Sequence, residues 1–158
     1  MSVSVEAVLA RRQAEMSGRL ITEQEVQDLK REIPPELLPA SLLMLFLTYP
    51  LVESTFRLTE AQDDSGLGVE MKWLTPRQMI SETIEAFPGI AAASSGYLPI
   101  GMCLDGSGDY YFVRPTVSDP LVVRIPHDAV DGEQRLREDL VEIVSTSLSE
   151  FIDKAKIH

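Results

Sequence analysis

The chain has 158 residues, 44% of them hydrophobic and 25% charged, which is the length and mixture of one globular domain with one core. Its 25 Asp and Glu against 14 Lys and Arg give a formal charge of −11, a field that repels phosphate backbones and anionic lipid and so argues against nucleic-acid or membrane-surface partners. The same field favours encounter with a basic protein, although acidity also serves solubility alone. The apolar run Leu42 to Leu47 is far shorter than the ~20 residues of a membrane span. Glu6, Arg11, Arg12 and Glu15 break up the apolar core that a secretory signal needs. Cys103 is the single cysteine, so no intramolecular disulfide forms, and a reducing, cytoplasmic location is expected.

Val5, Val8, Leu9 and Met16 predict a first helix, with Gly18 as its left-handed stop, and residues 1–20 read as a helical extension. Thr22 and Glu25 have capping-box spacing, and Val26, Leu29 and Ile33 mark one face of a second helix that ends at Pro34 and Pro35. Leu42, Leu43, Leu45, Phe46 and Leu47 are apolar nearly all round, which predicts a buried third helix. Alternation around Phe56 and Leu58, and again at Val69, Met71 and Trp73, predicts two antiparallel strands joined by a long loop from Glu60 to Gly68. Thr75, Pro76 and Gln78 start a further helix that should run to about Phe87 and stop at Pro88 and Gly89. Tyr97 to Gly101, Tyr110 to Val113 and Leu121 to Ile125 form a predicted three-strand meander with a turn at Asp105 to Asp109. From Glu133 onward Leu136, Leu140, Ile143, Val144, Leu148, Phe151 and Ile152 keep helical spacing, with Ser145 to Ser147 as a point of interruption. The fold class is therefore α+β: a single domain with a largely antiparallel sheet flanked by helices.

Motifs for chemistry are missing. With His127 and His158 as the only histidines, a Cys/His zinc site lacks ligands. Cys103 and His127 sit in separate predicted elements, with no third group to orient a thiolate pair, so a small buried cysteine is the simpler reading. No Gly-x-Ser-x-Gly elbow, dinucleotide fingerprint or phosphate loop occurs. Asp63 with Asp64, and Asp105 with Asp109, miss the calcium-loop spacing and read first as turn formers. No catalytic residue, metal or cofactor is expected. Trp73 lies among apolar alternating positions and suits the core better than an interface, whereas one of Tyr110 and Tyr111 must leave the core face.

The run Leu98-Pro99-Ile100-Gly101, the Gly-Ser-Gly-Asp turn at 106–109 and the aromatic strand after it resemble the central signature of the SUKH superfamily. The Leu-Pro at 38 and 39 before the Leu/Phe-rich helix, the strand ending in Trp73-Leu74, and Ser149-Glu150-Phe151-Ile152 near the end follow the same order over roughly residues 22–155. That superfamily includes a fungal cell-wall-synthesis regulator and many bacterial immunity proteins. The resemblance implies a SUKH-like domain that binds protein without catalysis. It points to an immunity protein that neutralises a cognate toxin, commonly a nuclease or other nucleic-acid-modifying toxin, or alternatively to a regulatory scaffold with no toxin partner. On this reading a basic toxin meets Asp63, Asp64, Asp105 and Asp109, with Tyr110 and Trp73 as aromatic contacts.

Overall fold

Capping chemistry sets the helix starts. In the computed structural model, which describes residues 4–158, Ser4 accepts from the Ala7 amide and opens α1 (Val5–Arg12). Thr22 and Glu25 exchange side-chain and backbone bonds at the start of α2 (Glu23–Glu32). The apolar α3 (Ala40–Thr48) follows Pro39, and α4 (Pro76–Ile84) opens on the reciprocal Thr75 and Gln78 pair. Two shorter helices, α5 (Gly89–Ser94) and α6 (Leu148–Lys154), complete the set among the described residues.

Alternating residues build seven strands: β1 (Thr55–Leu58), β2 (Val69–Trp73), β3 (Leu98–Cys103), β4 (Tyr110–Val113), β5 (Val122–Ile125), β6 (Glu142–Ser145) and β7 (Lys156–Ile157). They pair antiparallel throughout in the order β6-β5-β4-β3-β2-β1-β7 and form one curled sheet. The result is a single α+β domain. Period-two alternation separates two cores. Tyr111, Val113 and Val122 join the large cluster with α1, α2, α3 and α6, while Phe112, Val123 and Ile125 meet Ala92, Tyr97 and Ala129 on the opposite face. α1 packs against α6 and buries Val5, Val8 and Leu9 in the large cluster, so the N-terminal helix is part of the core.

Three expectations need correction, and one strand was not expected. The helix expected from Glu133 is a loop with a short 3-10 turn at Glu138–Leu140, then β6; only Leu148–Lys154 is helical. The reason is tertiary: Leu136 and Leu140 pack against the smaller core cluster of Ala92, Tyr97, Phe112, Val123, Ile125 and Ala129, the β-branched Ile143 and Val144 extend the sheet, and Ser147 caps α6. The helix from Thr75 stops at Ile84, short of Phe87, and Gly89 starts α5 where a stop was expected. The strand at Lys156–Ile157 was not foreseen. Gly18 has no left-handed φ; glycine is required there because a Cβ would collide with the Val52 carbonyl.

Candidate functional site

Because successive strands reverse direction, the connections 59–68, 104–109 and 126–141 leave from one end of the sheet. The first carries Glu60, Asp63 and Asp64 and the second Asp105 and Asp109, with no Lys or Arg in either. The third carries Asp128, Asp131, Glu133, Glu138 and Asp139 against Arg135 and Arg137, and folds back so that Glu138 meets Tyr97 and Arg114. Among the described residues this is where the chain's acidic excess gathers on loops.

A buried network holds this end together. Arg124 on β5 stacks over the Tyr111 ring, 5.2 Å from its centroid, directly across the β4–β5 pair. Its guanidinium donates to Asp63 Oδ2 at 3.0 Å, Ser65 Oγ at 2.9 Å, the Gly68 carbonyl at 2.7 Å and the Tyr111 hydroxyl at 3.3 Å. A buried guanidinium is tolerated only when its donors are filled, and here three of the four partners come from the first loop and the fourth, Tyr111, from β4. The Tyr111 hydroxyl in turn lies 3.8 Å from Cys103 Sγ, and that thiol donates to Asp105 Oδ1 at 2.9 Å. Burial pushes the Tyr111 phenol well above its ordinary range, so it stays neutral. The Cys103 thiol and the Ser107 amide together hold Asp105 below the ordinary carboxylate range. The Asp64 amide donates to the Val144 carbonyl and hooks the first loop to β6, and Asp109 accepts from the His127 amide at 3.0 Å, tying the second loop to the third.

The proposed contact residues divide accordingly. Asp64 and Asp105 are exposed at the loop end, Asp109 and Tyr110 are half-buried there, and Asp63 and Trp73 do not reach solvent. Asp63 is the counterion of Arg124, and Trp73 is packed between Phe46 and Phe56 with ring centroids 5.9 and 5.7 Å away, so neither is a surface contact. Asp105 rather than Asp109 braces the β3–β4 turn, by accepting from the Ser107 amide. Cys103 and His127 hold different partners, Asp105 and Asp109, and do not form a nucleophile pair. Beside the loops lies an open groove of about 880 Å³ with both signs on its walls: Arg57, Lys154 and Lys156 against Glu60, Glu70 and Asp105. Among the described residues no group of three or more His, Cys, Asp and Glu is placed to hold a metal ion, and no helix is long and apolar enough to cross a membrane.

Comparison with known proteins returns no match: no family model, curated protein or solved structure matches the chain. The SUKH resemblance therefore rests on the order of its motifs. In the fold those motifs are the segment before α3, the end of β2, β3, the β3–β4 turn, β4 and α6, and of these β4 carries Tyr111, which touches Arg124. Arg124 and Tyr111 are the members of this network that sequence reading missed as a pair. The signal was present, since an arginine inside the apolar run Val122 to Ile125 calls for a buried partner.

Proposed function

We propose that the protein is a non-catalytic protein-binding module, and that it acts as an immunity protein: it occupies a basic surface of a cognate bacterial toxin whose target is nucleic acid. The observation that carries this reading is the gathering of Glu60, Asp64, Asp105 and Asp109 on loops at one end of the sheet, fixed by the Arg124 network. A toxin that grips a phosphate backbone presents cations. Loops whose backbone is already held, by Arg124 at the Gly68 carbonyl and by the Asp64 amide at Val144, present their carboxylates to those cations without first paying loop-ordering entropy, and complementary charge speeds the encounter. The motif resemblance supplies the toxin class. A SUKH-like domain of this type would serve in the cytoplasm, where such toxins act.

The deciding experiment is co-expression with the toxin gene neighbouring this one. Expected are survival of the host and a stable complex on purification. Cell death with no complex, together with endogenous capture of regulatory or cell-envelope proteins only, replaces the immunity reading with that of a regulatory scaffold of the same fold.

A further inference from the structure

A groove of about 580 Å³ runs between α2 and α3, walled by Val26 and Ile33 on one side and by Leu43, Met44 and Leu47 on the other. Met44 stands 56% exposed on this face, and α3 carries no charged residue along its length. Val26, Ile33 and Leu43 form its buried floor, and Met44 with the half-buried Leu47 carries the apolar surface that the groove leaves against water, where an apolar partner surface can dock.

The charges at the rim identify the occupant. Glu23 and Lys30 both line the groove, on one face of α2 and two turns apart, about 10 Å along the axis. The ion pairs of α2 run through Glu25, Asp28, Arg31 and Glu32 instead, so Glu23 and Lys30 have no ionic partner among the described residues. A foreign surface of one sign would satisfy one of them and repel the other. An acid and a base spaced along a helix are self-complementary when that helix meets its own copy antiparallel, because a two-fold axis brings each against the other.

We propose that the occupant is a second copy of this chain. The two-fold axis crosses α2 near Val26, so that α2 lies antiparallel to its copy, Glu23 faces Lys30 of the partner subunit, and Met44 seats in the partner's groove. Magnitudes set the strength. Helices of 10 and 9 residues are about 15 Å long, and two side by side fall short of the roughly 800 Å² per partner of a standard interface. Two copies that each carry −11 also repel. The dimer is therefore weak, and its population depends on concentration.

Sedimentation of the full chain from micromolar to millimolar concentration tests this. The weight-average mass should rise from the 17.6 kDa of one chain toward twice that value. Met44→Glu should hold it at the monomer, with the melting transition followed by circular dichroism to establish that the variant folds. E23K and K30E each act twice by symmetry, and each should weaken association at least tenfold, about 1.4 kcal/mol. The double reversal E23K/K30E recreates the complementarity and should restore the dimer. A monomer at every concentration, a dimer indifferent to the single reversals, or a double reversal no better than the singles each overturns the proposal.

Discussion

Asp63 Oδ2 sits 3.0 Å from Arg124 Nη2 with both side chains out of solvent, and this pair joins the first acidic loop to the centre of the sheet. Removing one partner leaves the other charge buried and uncompensated, which typically costs about 3–5 kcal/mol. Asp63→Ala should therefore lower the unfolding free energy by about that amount in urea titration. Ser65→Ala removes one bond to Arg124 and should cost about 1 kcal/mol. Replacing both charges, Asp63→Leu with Arg124→Met, should recover most of the loss, since paired apolar substitutes avoid the desolvation of either ion. A loss below 1 kcal/mol for Asp63→Ala would show that the network does not hold the loop.

Gly18 and Gly106 separate two reasons for a glycine. At Gly18 a Cβ would meet the backbone carbonyls of Val52 and Pro50 and the Ser54 hydroxyl, which accepts from the Gly18 amide at 2.9 Å. Gly106 has open space around it but a φ of +89°. Gly106→Ala should cost only the left-handed backbone penalty, about 1–2 kcal/mol. Gly18→Ala must displace the backbone of residues 50–52, where Val52 bridges Arg19, and should cost about 3 kcal/mol or more. Equal losses in chemical denaturation would contradict this distinction.

Local signals made the first half of the fold legible. The Thr22 and Glu25 box, the Thr75 and Gln78 box and the alternation through Met71 and Trp73 each depend on residues a few positions apart, and all appear where the sequence placed them. Residues 133–147 failed because two apolar patterns coincide there. Leu136 and Leu140 fit a helix until the small cluster around Phe112, Tyr97 and Val123, distant in sequence, draws them onto the far face of the sheet. The site was legible as loops rich in aspartate, yet the roles within them were not. Asp63 and Asp64 are neighbours of identical chemistry, and only the position of Arg124, 61 residues away, makes one a buried counterion and the other a surface carboxylate.

Two carboxylates should give opposite pH signatures. Arg19 holds Glu25 down to about 2, with the Thr22 amide also bonded to it. Its contribution is fully present above the ordinary value near 4.5 and is lost as pH falls toward 2. Because Arg19 is half-exposed, the effect is discounted to about 1 kcal/mol. Glu25→Gln should thus be less stable than the parent by that amount at neutral pH, with the gap closing in acid. Glu82 is buried against the Gly89 amide, and burial raises its pKa. Its stabilisation is present at low pH and is lost as pH rises through that raised value. Glu82→Gln keeps an acceptor for Gly89 without the charge and should match or exceed the parent at neutral pH. Thermal melts of the three proteins across the acid range check both signs.

The exposed loop carboxylates should govern association without governing folding. Glu60 and Asp64 are exposed and their carboxylates hold no hydrogen bond among the described residues, and exposed charges contribute little to stability, so E60K/D64K should melt within a few degrees of the parent. Asp63 must be left in place, because its reversal would bury two cations together. If these loops meet a basic toxin surface, the association rate of the parent should fall steeply as salt rises, since salt screens the charges that steer the encounter. The double reversal should bind at least tenfold more slowly at low salt and show a flatter salt dependence, read by stopped-flow fluorescence with the neighbouring toxin. Binding that is fast and insensitive to salt in both proteins would place the interface away from the loop end, on a surface that the Arg124 network does not organise.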